Sequence, residues 1–264
     1  MKEEKKYKIL VLSDLKKNTQ NVLKSTTSFA KIINADIHFF YTKNPTEVIK
    51  NDNQLSAKRA INEESLIIDK KIKKLLGSFS EDNNTTINYS FTVGNVKNEI
   101  GNYLDKNNPD IIFLGKRKSK SFNFLGDNIT DFVLQKHKGS VIIASEENIL
   151  EPHKKLSLGF LNETKENGSI RLSLDLKAIS KEPIKYFRVV KNSEVYKETH
   201  QNLKEEKIEY VFEENDIIVK SISTYLTKSN VNLLCLTKNK KDDNNTAFLK
   251  KIINNTTVSL LLTT

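Results

Sequence analysis

The sequence has no tryptophan, one cysteine and one methionine among its 264 residues. The single Cys235 excludes a disulfide within the chain and fits a reducing compartment. It lies in the apolar run Leu233–Leu236, where a free thiol is expected to behave as a buried core residue. No apolar run approaches the roughly 18 residues of a membrane span, and the N-terminal segment MKEEKKYKIL lacks the apolar region of a signal peptide. We therefore expect a cytoplasmic protein with no membrane association.

Arginine is also scarce, although the net charge is +10 and the isoelectric point is about 9.3. Arginine is the residue suited to the bidentate phosphate and base contacts typical of nucleic-acid recognition. The chain has only four arginines: Arg59, Arg117, Arg171 and Arg188. The many lysines are scattered among Asp, Glu and Asn, and no platform of aromatic residues and arginines accompanies them. This pattern favours a solvated lysine-rich surface, and nucleic-acid binding is the less favoured alternative.

The residues that usually carry catalysis are few and dispersed. A hydrolase needs an acid/base or metal constellation in one pocket. HxxxH, CxxC and GxSxG spacings are all missing, and the four histidines are far apart in sequence: His38, His137, His153 and His200. We therefore expect no catalytic residues and no enzymatic activity. The enzymatic alternative left open is a Mg²⁺ ion held by Asp14 and Asp127 through carboxylates and water.

The most informative stretch of the chain is residues 109–145. The apolar run Ile111–Leu114 ends at Gly115 and is followed by a basic loop, Lys116–Lys120. A stretch of helical length then leads to a second apolar run, Val141–Ala144. The order strand, glycine turn, loop, helix and strand is typical of a parallel α/β sheet that binds a ligand at the carboxyl end of a strand.

The residues before this stretch continue the alternation of strands and helices. Near-continuous apolar runs predict strands, and helical spacing of apolar residues predicts the segments between them. The expected elements are strands at 7–12, 36–41 and 86–93, and helices at 18–33, 57–76 and 96–106. Gly77 is expected to close the second helix, and Asn18 or Thr19 to cap the first.

The second half of the chain repeats the first. IIFLGKRK at 111–118 recurs as LLCLTKNK at 233–240, and SVIIAS at 140–145 recurs as VSLLLT at 258–263. The aromatic and apolar pattern of 89–104 recurs at 210–226, and the segment 191–206 replaces the longer 45–79. The repeat predicts two homologous α/β domains, 1–146 and 153–264, joined by a short linker that contains Pro152.

The chain resembles a tandem universal stress protein over both halves. The resemblance rests on KILVLSDL (8–15), the glycine in FTVGNVKNEI (91–100), PDIIFLGKRK (109–118) and LGDNITDFVLQKHKGSVIIA (125–144). It implies two tandem five-stranded parallel-sheet domains of the adenine nucleotide alpha hydrolase-like type. Many members bind ATP through a Gly-x-x-Gly-x9-Gly-Ser/Thr pattern after the fourth strand, with an acidic residue at the end of the first.

That pattern is only partly kept in the first domain. Asp14 matches the acidic residue, Gly115 matches the first glycine, and Lys118 stands where the second glycine belongs. The final Gly-Ser pair corresponds to Gly126-Asp127 or to Asp127-Asn128, depending on the alignment. The negative charge of Asp127 opposes phosphate binding, whereas the basic loop, with Lys116 and Lys118, favours it. The resemblance also places Thr42 and Gly94 at this expected ATP site, with Mg²⁺ as the companion ion.

The second domain departs further from the pattern. Thr237 replaces the first glycine, Lys240 replaces the second, and its first strand ends in Leu161-Asn162 without a carboxylate. We expect it to serve as a structural partner of the first domain. In the family the last strands pair across a pseudo-two-fold axis, which implies that Val141–Ala144 pairs antiparallel with Val258–Leu262 in an intrachain pseudo-dimer.

Two functions are therefore expected from the sequence besides the enzymatic alternative. One is a stress-response regulatory protein with a partly kept ATP site in the first domain. The other is a universal stress family member that has lost nucleotide binding and acts through contacts with an unknown protein partner. A homodimer of the whole chain is compatible with either function.

Overall fold

A computed structural model describes residues 6–49, 53–83, 86–116, 125–151, 154–163, 171–190, 207–237 and 243–263. Within these ranges, the side chains of 80–83, 125–128, 207 and 243–246 are not described. Contacts divide the chain into two compact units, Met1–Val141 and Ile142–Thr264. The bounds 1–146 and 153–264 expected from the repeat stay a prediction.

The first unit alternates parallel strands and helices, as the sequence predicts. Its elements are β1 (Tyr7–Ser13), α1 (Thr19–Ile33), β2 (Ala35–Lys43), a 3-10 turn (Pro45–Glu47), α2 (Gln54–Asn83), β3 (Ile87–Val93), α3 (Val96–Asn107), β4 (Ile111–Gly115) and α4 (Leu125–Lys136). β5 (Ser140–Ala144) lies across the division between the units. β1 pairs in parallel with β2 on one side and with β4 on the other, and β2 also pairs with β3.

The central strands are apolar because both faces of the sheet are covered. Val11 and Phe113 are fully buried, and Ile9 is 1% exposed. The apolar face of α1 packs on this sheet, where the Phe29 and Phe113 rings meet edge to face with centroids 5.6 Å apart. Continuous burial on two faces is the usual state of a central parallel strand, so the apolar runs in the sequence indicated these strands correctly.

The second unit repeats the topology with a first helix of 9 residues in place of 15. Its elements are β6 (Leu158–Leu161), α5 (Arg171–Ile179), β7 (Ile184–Val190), β8 (Lys207–Glu213), α6 (Ile218–Lys228), β9 (Leu233–Thr237), α7 (Asp243–Asn255) and β10 (Ser259–Thr263). The pairs β8-β7, β7-β6, β6-β9 and β9-β10 are all parallel. The expected α/β class with parallel sheets in tandem is confirmed.

The predicted end of the second helix was wrong. α2 runs from Gln54 to Asn83, and Gly77 lies inside it. A Cβ atom built on Gly77 would meet nothing within 4 Å. Glycine often ends a helix because it can adopt a left-handed backbone, but it can also continue one at a cost of about 0.5–1 kcal/mol relative to alanine.

Residues just after β5 contact the last strand within the second unit. The Ser145 backbone N–H donates to Ser259 Oγ at 3.1 Å, and the Ser145 hydroxyl donates to the Thr257 carbonyl at 2.5 Å. The Asn148 amide donates to the same carbonyl at 2.8 Å. These bonds hold residues 145–148 against the chain that enters β10. In the described part of the chain, no helix has the length and apolar character needed to cross a membrane.

Candidate functional site

A cavity of about 330 Å³ lies in the first unit at the carboxyl ends of β1, β2 and β4. Its lining comes from these strand ends, the start of α1, the 3-10 turn and the helices α3 and α4. The lining residues are Leu12, Ser13, Asp14, Lys16, Asn18, Thr19, Val22, Phe40, Tyr41, Thr42, Glu47, Val96, Ile100, Leu114, Gly115 and Ile129. Ligands of open parallel sheets bind at this edge, so the cavity is the candidate site.

The turn after β1 fixes the position of Asp14. Its Oδ1 accepts a hydrogen bond from the Lys16 backbone N–H at 3.0 Å. Ser13 Oγ accepts from the Leu15 N–H at 3.1 Å and lies 2.9 Å from Thr19 Oγ1. Leu15 itself adopts a left-handed backbone with φ of 55°. The carboxylate is therefore part of an ordered turn at the mouth of the cavity.

The sequence predicts either Asn18 or Thr19 as the cap of α1. Asn18 directly precedes α1, but its side chain does not cap the helix. Its side chain makes no capping bond to the helix, and its Nδ2 donates to the Lys116 carbonyl at 2.7 Å. Its Oδ1 is buried and has no hydrogen-bond partner among the described residues. Asn18 thus joins the first turn of α1 to the end of β4 and brings an unsatisfied acceptor to the cavity.

The end of β2 provides the opposite wall. Thr42 lines the cavity, and its Oγ1 is also buried without a partner in the described part of the chain. Burial raises the pKa of the neighbouring Tyr41 phenol, and the Lys43 ammonium opposes that shift. Lys43 lies 3.4 Å from carboxylate oxygens of both Glu47 and Glu64. Glu47 also lines the cavity and is its second carboxylate, with Asp14 the first.

The two glycines of the predicted site have local structural roles. A Cβ atom on Gly115 would lie 2.8 Å from Val22 Cγ2 and 3.3 Å from Asn18 Nδ2. The absence of a side chain at Gly115 therefore lets α1 pack closely on the end of β4. Gly94 is not part of the cavity lining. Its N–H donates to the Lys43 carbonyl at 2.9 Å, and a Cβ there would lie 2.7 Å from Glu99 Oε1.

The rest of the predicted site is only partly described. Lys116 is described, and its carbonyl binds Asn18, but it does not line the cavity. Lys118 lies outside the described residues. Gly126, Asp127 and Asn128 belong to the first turn of α4, where side chains are not described. The structure thus brings Asp14, Thr42 and Gly115 together, and the phosphate-binding role of the loop stays a prediction.

The matching position in the second unit carries a carboxylate that the sequence analysis missed. β1 is in register with β4 at Ile9 and Ile111, and β6 is in register with β9 at Leu158 and Leu233. Because Ile111 and Leu233 are repeat equivalents, Glu163 follows Leu158 at the same interval at which Asp14 follows Ile9. The strand itself ends at Leu161 without a carboxylate, as expected, and Glu163 lies two residues beyond it.

Glu163 is already engaged by the protein itself. Lys177 Nζ donates to both of its carboxylate oxygens, at 2.7 and 2.9 Å, and lies 4.5 Å from the centre of the Phe160 ring. The cavity here measures only about 10 Å³. Cys235 lines it, and burial, with a smaller contribution from Glu163, raises the pKa of its thiol. The second unit has an ion pair and packed side chains where the first has an open cavity.

Several residues of the first cavity were not predicted as site residues: Lys16, Asn18, Tyr41 and Glu47. The only sequence signal for them was their closeness to the predicted ends of β1 and β2. The described residues hold no group of three His, Cys, Asp or Glu side chains that could bind a metal ion. The cavity lining itself combines hydroxyl, amide and carboxylate groups with apolar side chains.

Two parallel α/β units in tandem, one with an open cavity at the carboxyl ends of its strands, define the fold class of this protein. No protein-family model and no curated protein matches the chain in sequence. Solved structures match it in fold, and those that cover nearly all of it include universal stress proteins. The expected resemblance to that family is confirmed at the level of the fold.

The matches that cover nearly the whole chain include proteins from Archaeoglobus fulgidus and Pseudomonas aeruginosa. A universal stress protein from Archaeoglobus fulgidus DSM 4304 has a TM-score of 0.69 and 14% identity, over 97% of this chain and 95% of that one. A putative universal stress protein from Pseudomonas aeruginosa UCBPP-PA14 has a TM-score of 0.62 and 10% identity, over 97% and 92%. A functionally unknown protein from Pseudomonas aeruginosa PAO1 gives the same values. Identities this low show a shared fold and no more.

Proposed function

We propose that the first unit binds an adenine nucleotide and that the chain acts as a stress-response regulatory protein rather than an enzyme. The observation that carries this proposal is the cavity of about 330 Å³ at the carboxyl ends of β1, β2 and β4. Its lining includes Asp14 and Thr42, two of the residues that the sequence predicts for an ATP site. The fold shared with universal stress proteins supports the same proposal.

The chemistry of the lining suits the nucleoside part of a nucleotide. A carboxylate such as Asp14 accepts hydrogen bonds from ribose hydroxyls, and apolar side chains such as Val96 and Ile100 cover a base. ATP with Mg²⁺ is the proposed ligand. In this proposal Mg²⁺ is carried chiefly by the phosphates, because this ion usually binds through substrate phosphates and one or two carboxylates.

The test is isothermal titration of the purified chain with ATP and Mg²⁺. We expect micromolar binding by the wild type and a loss of about 10–100-fold in Asp14→Ala, since a hydrogen bond to a charged group contributes about 1.5–3 kcal/mol. Asp36→Ala is the matched control, because Asp36 is an exposed aspartate at the start of β2 and does not line the cavity. Gly115→Val is unsuitable as a probe, because its side chain would collide with Val22.

Absence of binding up to millimolar ATP, from folded protein free of co-purified nucleotide, would refute the proposal. It would favour the alternative in which the chain acts through an unknown protein partner. The proposal includes three further predictions. The two domains pair as an intrachain pseudo-dimer, the whole chain forms a homodimer, and the protein is cytoplasmic. Size-exclusion chromatography with light scattering measures the oligomeric state directly.

A further inference from the structure

The lining of the first cavity includes groups that only accept hydrogen bonds: the Asp14 and Glu47 carboxylates and the Asn18 amide oxygen. Asn18 Oδ1 and Thr42 Oγ1 are buried and lack hydrogen-bond partners within the described residues. Both residues line the cavity, on walls formed by different elements. An unsatisfied buried polar atom costs about 1–3 kcal/mol, so a ligand that satisfies these atoms gains affinity from them.

The chemical identity of the Asn18 acceptor is fixed by its other contact. An asparagine amide can be turned by 180° without a visible change in shape, so its oxygen and nitrogen are assigned from their partners. Here one end of the amide lies 2.7 Å from the Lys116 carbonyl, which accepts hydrogen bonds only. That end must be the Nδ2 donor. The orphan end is therefore Oδ1, which can only accept a hydrogen bond from a ligand.

The charges of the lining point in the same direction. Asp14 and Glu47 are acidic, and Lys16 is the only basic residue among the described residues that line the cavity. Lys43, just outside it, already contacts Glu47 and Glu64. Carboxylates repel phosphate, and the repulsion is strongest where water is displaced from between the charges. The described cavity therefore favours a neutral ligand group over an anionic one.

We propose that this cavity recognises the uncharged, hydrogen-bond-donating nucleoside part of its ligand, with Asn18 as a specificity-determining residue. The volume of about 330 Å³ lies near the lower end of the range of small-molecule sites, roughly 300–1,000 Å³. This inference rests on the proposed nucleotide function and sharpens it. The nucleoside supplies the contacts, so free adenosine binds at least as tightly as ATP.

The experiment compares adenosine with ATP and Mg²⁺ by isothermal titration against the same protein. We expect a dissociation constant for adenosine equal to or lower than that for ATP. Asn18→Ala and the nearly isosteric Thr42→Val are each expected to weaken adenosine about 10-fold, the effect of one net hydrogen bond. Gln20→Ala is the control, because Gln20 is an exposed amide on the first turn of α1 that does not line the cavity.

A further variant tests the role of charge. Glu47→Gln removes one negative charge from the lining while keeping nearly the same shape. We expect the ratio of ATP affinity to adenosine affinity to rise, and the rise to shrink at high salt because of screening. Circular dichroism spectra matching that of the wild type would show that all four variants are folded.

The results of these titrations distinguish the inference about nucleoside recognition from the proposed nucleotide-binding function on which it rests. Binding of ATP more than 10-fold tighter than adenosine would overturn the inference and leave the nucleotide proposal intact. Equal effects of Asn18→Ala and Gln20→Ala on adenosine would remove Asn18 as the specificity-determining residue. Failure of both ligands to bind at millimolar concentration would refute the inference together with the proposed function.

Discussion

Gly115 gives the sharpest test of how the cavity is built. The glycine pattern suggests that Gly115 is present so that phosphate can approach the backbone, whereas the structure shows it against Val22 of α1. The two explanations differ in what Gly115→Ala does to an unliganded protein. If only ligand approach matters, stability is unchanged or slightly increased. If packing matters, the added methyl group destabilises the first unit.

The expected size of the effect follows from the geometry. The new Cβ would lie 2.8 Å from Val22 Cγ2, closer than side-chain carbons normally approach, and Val22 is only 4% exposed. Overpacking of this kind costs about 1–3 kcal/mol. No described glycine has a positive φ, so alanine is allowed at Gly115 and its lower entropy in the unfolded chain returns about 0.4–1 kcal/mol. We expect a net loss of about 1–2 kcal/mol.

A double-mutant cycle with Val22→Ala isolates the contact. Val22→Ala alone is expected to cost about 1–2.5 kcal/mol through lost burial and a cavity. Because the smaller side chain leaves space for the new methyl group, the double variant should be more stable than the sum of the single changes predicts, by about 1 kcal/mol or more. Urea unfolding followed by far-ultraviolet circular dichroism suits the assay, since the chain has no tryptophan.

A Gly115→Ala variant as stable as the wild type would contradict a packing role for Gly115. Additive effects of Gly115→Ala and Val22→Ala in the cycle would also contradict it. Gly101→Ala is the control for adding a methyl group to a buried glycine. Its Cβ would meet its nearest neighbours, Lys136 Cε and Phe132 Cζ, at the ordinary contact distance of 3.5 Å. That control should show no coupling to Val22, because it contacts other residues.

Three further predictions concern other parts of the chain. Gly77→Ala should raise the free energy of unfolding by about 0.5–1 kcal/mol in urea titrations, because Gly77 lies inside α2 and a Cβ has free space there. Lys177→Met should cost about 1–3 kcal/mol by leaving the 12%-exposed Glu163 side chain without its cation, and adding Glu163→Gln should recover part of that loss. Burial lowers the pKa of His38 from its usual 6.5, so below about pH 6.5 the unfolded state binds the extra proton and wild-type stability falls. His38→Gln should show a weaker fall in unfolding midpoints between pH 7 and pH 5, whereas an unchanged pH profile would contradict this explanation.

Local sequence patterns were sufficient to predict the strands and part of the candidate site. The apolar runs around Val11 and Phe113 indicated buried parallel strands. Asp14 and Thr42 each lie close after the end of such a run, which placed both residues at one edge of the sheet. This works because parallel strands bring their carboxyl ends together whatever the helices between them do. The structure accordingly has both residues in one cavity.

The features that were missed depend on contacts distant in sequence. Asn18 looked like a helix cap because caps are recognised by local position, yet its amide binds the carbonyl of Lys116, 98 residues away. Glu163 was overlooked because its equivalence to Asp14 depends on the register between β6 and β9. Gly77 looked like a helix end because glycine is common there, although α2 continues past it to Asn83.

The two units show how one topology can either leave a cavity at its strand ends or fill that space with its own side chains. Each has an acidic residue just beyond its first strand, Asp14 or Glu163, at the edge where parallel sheets bind ligands. In the second unit Lys177 supplies a cation from α5 and the cavity is reduced to about 10 Å³. In the first, the buried side-chain oxygens of Asn18 and Thr42 have no hydrogen-bond partner among the described residues. Because unsatisfied buried polar atoms are costly in a folded protein, a ligand that satisfied these two oxygens would gain affinity at the first site and not at the second.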